Sequence, residues 1–152
     1  MKQSDSIVII PTYNECENIE KIVRAVLGLE QSFHILVIDD GSPDGTADIV
    51  RRLMQDEFAG RLFLVERSGK LGLGTAYIAG FKWALERNYE YVFEMDADFS
   101  HDPKDLPRLY AACHDEGYDL SIGSRYVSGV NVVNWPMGRV LMSYFASKYV
   151  RI

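Results

Sequence analysis

Two cysteines in 152 residues, Cys16 and Cys113, leave no material for a disulfide framework or a zinc cluster. Cys113 falls on the apolar face of a helical segment, where buried packing is its expected role. No stretch approaches the ~20 apolar residues of a spanning helix. The start, Met1 to Ser6, is polar and runs straight into an apolar strand, unlike a signal peptide. The simplest expected compartment is therefore the cytoplasm. There is no internal repeat and no low-complexity linker, so the length fits about one domain. A net charge of −6 makes nucleic acid an unexpected partner. Acidic residues stop at Asp119, and four of the 16 Lys and Arg (Arg125, Arg139, Lys148 and Arg151) lie beyond it. A basic, apolar tail behind an acidic body suggests a surface that faces phosphate or an anionic membrane.

What the chain does have is alternation. Five apolar runs read as strands: Ile7–Ile10, Ile35–Ile38, Leu62–Val65, Tyr91–Met95 and Leu120–Ser124. Helical periodicity fills the gaps. Ile19, Ile22, Val23, Val26 and Leu27 form one apolar face, with Asn14 and Glu17 as a capping pair. Further helices are expected over roughly Thr46–Gln55 and Thr75–Arg87. A fourth opens with Asp102 as cap and Pro103 in its first turn, then buries Leu106, Leu109, Tyr110 and Cys113. Strands alternating with helices imply right-handed βαβ units and a mostly parallel sheet. Ile35–Ile38 lacks polar alternation, as expected of a strand buried on both faces.

The acidic residues fall at strand ends. Asp39-Asp40 follows the second strand and Asp96-Ala97-Asp98 the fourth. In an open α/β sheet that carboxyl edge is where ligands bind. Asp-x-Asp can hold a divalent cation that keeps positions open for substrate phosphates, although aspartates also serve turns and caps. The second cluster favours the metal-diphosphate reading, because uncompensated carboxylates at one edge repel and a cation relieves them. Pro11-Thr12-Tyr13-Asn14-Glu15 reads equally as a base-and-ribose loop and as a plain strand-to-helix turn. Asp39 to Thr46 is a loop whose acidic start suits base N–H groups or ribose hydroxyls. Gly69-Lys70-Leu71-Gly72-Leu73-Gly74-Thr75-Ala76 turns backbone N–H groups toward a possible phosphate. It matches neither the dinucleotide fingerprint nor a P-loop. Arg125, ending strand five, suits either an ion pair or a phosphate clamp. His101 reads as a loop residue or a partner of the aspartates, and His34 and His114 as surface residues.

Taken together, PTYNE, DDGSPDGT, KLGLGTAY, MDADFSH and GSRY, in this order and spacing, resemble family-two glycosyltransferases. Within them the match is to the dolichol-phosphate (polyprenol-phosphate) mannosyltransferases. The resemblance implies a Rossmann-like three-layer α/β/α sandwich, the A-type glycosyltransferase fold. It implies that Pro11, Tyr13, Glu15, Ile38 and Asp40 line the nucleotide pocket. Asp96, Ala97 and Asp98 would meet the diphosphate-sugar, with Asp98 and Ser100 nearest a Mg²⁺ or Mn²⁺ ion. Arg125 would sit by the diphosphate or the acceptor phosphate. The implied reaction is inverting transfer of a sugar, mannose from GDP-mannose, to a polyprenyl or dolichyl phosphate. The implied place is the cytoplasmic face of a membrane, with peripheral contact.

Residues 1–127 are then a nucleotide-sugar domain, and 128–152 the start of an amphipathic acceptor-side region. Family members run on for tens of residues past Ile152, so a fragment is expected. Its stripe of Val140, Leu141, Tyr144, Phe145 and Lys148 should be partly exposed or buried against a second copy, a homo-oligomer. A lipid phosphate is already anionic and needs a positive clamp more than a base, so scarce histidine is no obstacle. Alternatives are a UDP-sugar donor and a donor-binding module without transfer. A signalling receiver domain would need its acidic pair after strand one, and here the pairs follow strands two and four.

Overall fold

The computed structural model describes residues 4–124 and 137–150, and for parts of the second segment the backbone alone. Four strands form one sheet: β1 (Ser6–Thr12), β2 (His34–Asp39), β3 (Leu62–Glu66) and β4 (Tyr91–Glu94). Their order is β3-β2-β1-β4 and every pairing is parallel. Successive connections step one way from β1 to β3, then return past β1 to β4. The direction of winding therefore reverses between β1 and β4, which places the crevice of an open α/β sheet at their carboxyl ends.

Side-chain alternation along the strands builds a core on each face. Val8, Ile10, Ile35 and Val37 point to one side, under α1 (Ile19–Leu27) and α2 (Thr46–Asp56). Ile7, Ile9, Leu36 and Ile38 point to the other, under α3 (Leu73–Leu85). All eight are fully buried, which is why β1 and β2 read as continuous apolar runs. A 3-10 turn at Pro103–Asp105 leads into α4 (Leu106–His114), and Leu106 joins the first core. The sheet thus lies between two helical layers. α5 (Met137–Val150) carries the end of the chain.

Several expectations need correction. Residues 120–124 form no strand. Leu120 and Ile122 are 73% and 76% exposed, and an apolar run becomes a strand only where neighbours cover and pair it. α1 starts at Ile19 after Asn18, with no side-chain cap. Asn14 instead adopts φ 58° and donates its N–H to Ser42 Oγ. α3 begins two residues before the expected Thr75. In α4 only Leu106 is fully buried, while Leu109, Tyr110 and Cys113 are half-buried. Asp102 does cap the turn before it, accepting from Lys104 N–H. His34 is 7% exposed, bonded through Nδ1 to the Tyr89 hydroxyl at 2.7 Å, and burial lowers its pKa. On α5, Leu141 and Phe145 are 48% and 63% exposed. The side chains of Val140, Tyr144 and Lys148 lie outside the described residues, as do Trp135, Arg151 and the expected boundary at 127.

α3 sits close to the sheet because of one glycine. A Cβ at Gly80 would lie 2.7 Å from Ile9 Cδ1 and 2.8 Å from its Cγ2. Ile9 is fully buried, so its branched side chain cannot swing out to solvent. Gly80→Ala should therefore destabilise the fold by about 1–2 kcal/mol, overpacking outweighing the gain in helix propensity. Gly74→Ala, where nothing lies within 4 Å, should leave stability unchanged or raised. Urea melts of the two variants check this, and equal midpoints would contradict it.

Candidate functional site

Three strand-to-helix loops meet at the switch point. Pro11 and Thr12 end β1 and Tyr13 and Glu15 follow it, Asp40 follows β2, and Asp96, Ala97 and Asp98 follow β4. With Lys70, Leu73 and Ala76 they line a cleft of about 220 Å³. The expected site residues Pro11, Tyr13, Glu15, Asp40, Asp96, Ala97 and Asp98 are thus brought together. Ile38 is not on the wall: its side chain is fully buried in the core beneath α3. Ser100 is exposed and faces Asp98 rather than the cleft. Arg125 lies outside the described residues.

The loop after β2 serves mainly as a brace. Asp39 is buried and accepts from Thr12 Oγ1 at 2.8 Å, and from Ser42 through its N–H at 2.9 Å and its hydroxyl at 2.6 Å. The same loop holds the next three N–H groups of the β1 loop. Asn14 donates to Ser42 Oγ, Glu15 to Thr46 Oγ1 and Cys16 to Asp44 Oδ2, each at 3.0 Å. Asp44 is exposed; desolvation by its neighbours opposes ionisation, but hydrogen bonds from Thr46 and Cys16 outweigh it and bring the pKa to about 2. Gly41, at φ +69°, makes the turn that lets Ser42 fold back on Asp39.

Asp40 is not an uncompensated charge, contrary to expectation. Arg67, just past β3, holds it with two parallel bonds, Nε to Oδ1 at 2.6 Å and Nη2 to Oδ2 at 2.7 Å. Both side chains are about nine-tenths buried (11% and 10% exposed). Arg67 Nη1 also donates to Thr75 Oγ1 at 2.8 Å, tying the first turn of α3 to the same point. Arg67 did not stand out in the sequence, because a partner 27 residues away leaves no local pattern.

The β4 loop is shaped differently. The Asp96 N–H donates to His101 Nδ1 at 3.1 Å, so the neutral imidazole carries its proton on Nε2. Tyr77 OH lies 3.4 Å from Asp96 Oδ1. Burial, then the negative charges of Asp96 and Glu94, raise the Tyr77 pKa, which keeps it a phenol that can donate. Hydrogen bonds from the Ser100 hydroxyl outweigh desolvation and, with the Ser100 N–H, lower the Asp98 pKa, so Asp98 is a carboxylate near neutrality. Phe99 between them has φ 60°, a costly conformation for an aromatic residue. Asn14, in the β1 loop, is also left-handed, a conformation that asparagine adopts readily. The described residues contain no cluster of three or more His, Cys, Asp or Glu that would cage a metal. Two open carboxylates on one wall fit a hard divalent ion completed by substrate phosphate and water.

A doubly covered parallel sheet with an acidic cleft at its switch point defines an α/β domain built to take a ligand at its carboxyl edge. The chain belongs to glycosyl transferase family 2, whose pattern matches residues 7–151. It is 50% identical over 146 residues to the polyprenol monophosphomannose synthase of Mycolicibacterium smegmatis, covering 96% of this chain and 54% of that one. It is 46% identical over 147 residues to the undecaprenyl-phosphate mannosyltransferase of Micrococcus luteus, covering 96% and 58%. A dolichol-phosphate mannosyltransferase of Pyrococcus furiosus is 41% identical over 149 residues, covering 95% and 40%. The chain therefore spans about half the length of the curated relatives it matches. Its fold is similar to that of S. aureus TarS 1-349 in complex with UDP-GlcNAc, with TM-score 0.57 and 26% identity over 73% of this chain and 31% of that one.

Removing the Arg67 guanidinium should leave Asp40 buried and unpaired. Arg67→Gln is expected to cost about 3 kcal/mol and roughly 10 °C in Tm, with part of the loss restored by Asp40→Asn in the same chain. Thermal melts of the single and double variants check this. A loss below about 1 kcal/mol would mean that water already satisfies the pair.

Proposed function

We propose that this chain carries the donor-binding part of an inverting glycosyltransferase that moves mannose from GDP-mannose to a polyprenyl phosphate. The observation that carries the reading is the meeting of the Pro11–Glu15, Asp40 and Asp96–Asp98 segments in one cleft, in a chain 41–50% identical to three named lipid-phosphate mannosyltransferases. Tyr13 offers an exposed flat face for a base. The Asp40 oxygens, fixed by Arg67, keep lone pairs for ribose or base donors. Asp96 and Asp98 would hold Mg²⁺ or Mn²⁺, which when bound neutralises charge on the departing diphosphate.

The chemistry asks little of the protein beyond positioning. An acceptor phosphate oxygen attacks the anomeric carbon as the bond to the nucleoside diphosphate breaks on the opposite side, which inverts the centre. The nucleophile is ionised near neutral pH, so no side chain need remove a proton. Arg125, at the end of GSRY, is assigned to the acceptor phosphate or the diphosphate on the family resemblance. The site works at a membrane surface, where the acceptor resides. No helix among the described residues is long and apolar enough to cross a membrane. A UDP-sugar donor is the second reading, favoured by the structural likeness to TarS with UDP-GlcNAc.

A thermal-shift panel of GDP-mannose, UDP-glucose and UDP-GlcNAc, each with and without Mn²⁺, separates the readings, since ligand binding to the native state raises its apparent stability. GDP-mannose with Mn²⁺ should give the largest rise. Asp98→Asn should abolish that rise while leaving the unliganded melting temperature within about 1 °C, as expected of an exposed position. Equal shifts in EDTA and Mn²⁺ would remove the metal from the account, and a larger UDP-sugar shift would replace the donor.

A further inference from the structure

Four carboxylates line the cleft, those of Glu15, Asp40, Asp96 and Asp98, and Lys70 is the one cation among its described lining residues. Arg67 matches Asp40. A divalent ion on Asp96 and Asp98 would only balance those two groups, so an incoming diphosphate still brings negative charge that needs a partner. Lys70 makes no ion pair among the described residues. Its Nζ instead rests 4.8 Å from the centroid of the ring of Tyr13, a residue that is 40% exposed. It is itself exposed and lies between Gly69 and Gly72, around which there is open space.

We infer that Lys70 is a donor-responsive cation: it covers the Tyr13 ring in the free chain and moves to the diphosphate when a nucleotide takes that ring. This rests on the nucleotide-sugar reading above and adds a binding residue to it. A cation over an aromatic face is held weakly at an exposed site and is readily exchanged for a stacking base. Phosphate offers the ammonium charge-assisted hydrogen bonds, which are stronger. The residue types suit the division of labour. Arg67, a rigid planar fork, fixes Asp40, whereas a lysine is a compact charge on a flexible stem that can change partners.

Calorimetric binding of guanosine, GDP and GDP-mannose to the wild-type chain, Lys70→Gln and Lys70→Arg, at constant Mn²⁺ and at low and high salt, tests this. Lys70→Gln should weaken GDP and GDP-mannose about tenfold at low salt, with the difference shrinking at high salt. Guanosine should bind Lys70→Gln as well as or better than wild type, because the Tyr13 face is freed. Lys70→Arg should restore most of the diphosphate affinity. If the wild type prefers UDP-sugars, uridine and UDP replace the guanine ligands with the same expectations. Unchanged GDP binding by Lys70→Gln, or an equal loss for the nucleoside, would overturn the role of Lys70 alone. A wild-type chain that binds no sugar nucleotide would overturn the donor reading and this one with it.

Discussion

Arg67 reaches from the end of β3 to the carboxylate of Asp40 after β2 and to the hydroxyl of Thr75 in the first turn of α3. Three chain segments that could otherwise drift are fixed to one guanidinium. A lysine could not do this, because the two parallel bonds to Asp40 need a planar fork. The pair is about nine-tenths buried, so its net contribution to stability is smaller than its bonds suggest. Its structural consequence is positional. Asp40 is held at the cleft wall, and the glycine-rich loop that carries Lys70 starts from a fixed point.

A second layer of order comes from the loop after β2. Ser42, Asp44 and Thr46 give their side-chain oxygens to successive N–H groups of the β1 loop. Buried Asp39 ties both to β1 through Thr12. The conspicuously acidic stretch from Asp39 to Thr46 is therefore mostly scaffold, with Asp40 its one member on the cleft wall. The left-handed backbone at Asn14 is tolerable because these bonds over-determine the loop. A rigid β1 loop facing a strained β4 loop gives a cleft whose walls are preformed, which limits the ordering cost of binding.

Much of this was legible in residue order. β1 and β2 are dense in β-branched residues and buried on both faces, so their apolar runs admit one reading. The periodicity of Ile19, Ile22, Val23, Val26 and Leu27 marks α1 equally clearly, and all five are buried. The strand-end position of Asp40, Asp96 and Asp98 followed from the alternation of elements alone. What was hidden depends on long-range partners. Arg67 is an ordinary charged residue until the fold brings Asp40 beside it. His34 reads as polar surface until Tyr89, 55 residues on, supplies a bond inside the second layer. The run at 120–124 has strand composition but lacks cover, and composition does not report cover. Asn14 looks like a cap because capping and left-handed turns favour the same residue.

The proposed nucleotide-sugar site lies at the carboxyl edge between β1 and β4, in a chain about half as long as its curated relatives. Backbone amide shifts of the labelled chain, titrated with GDP-mannose and Mg²⁺, test it residue by residue. Changes are expected at Tyr13 to Glu15, Asp40, Lys70 to Ala76 and Asp96 to Asp98, with the amides of α4 unmoved. No change at those loops, or changes centred on α4, would contradict it.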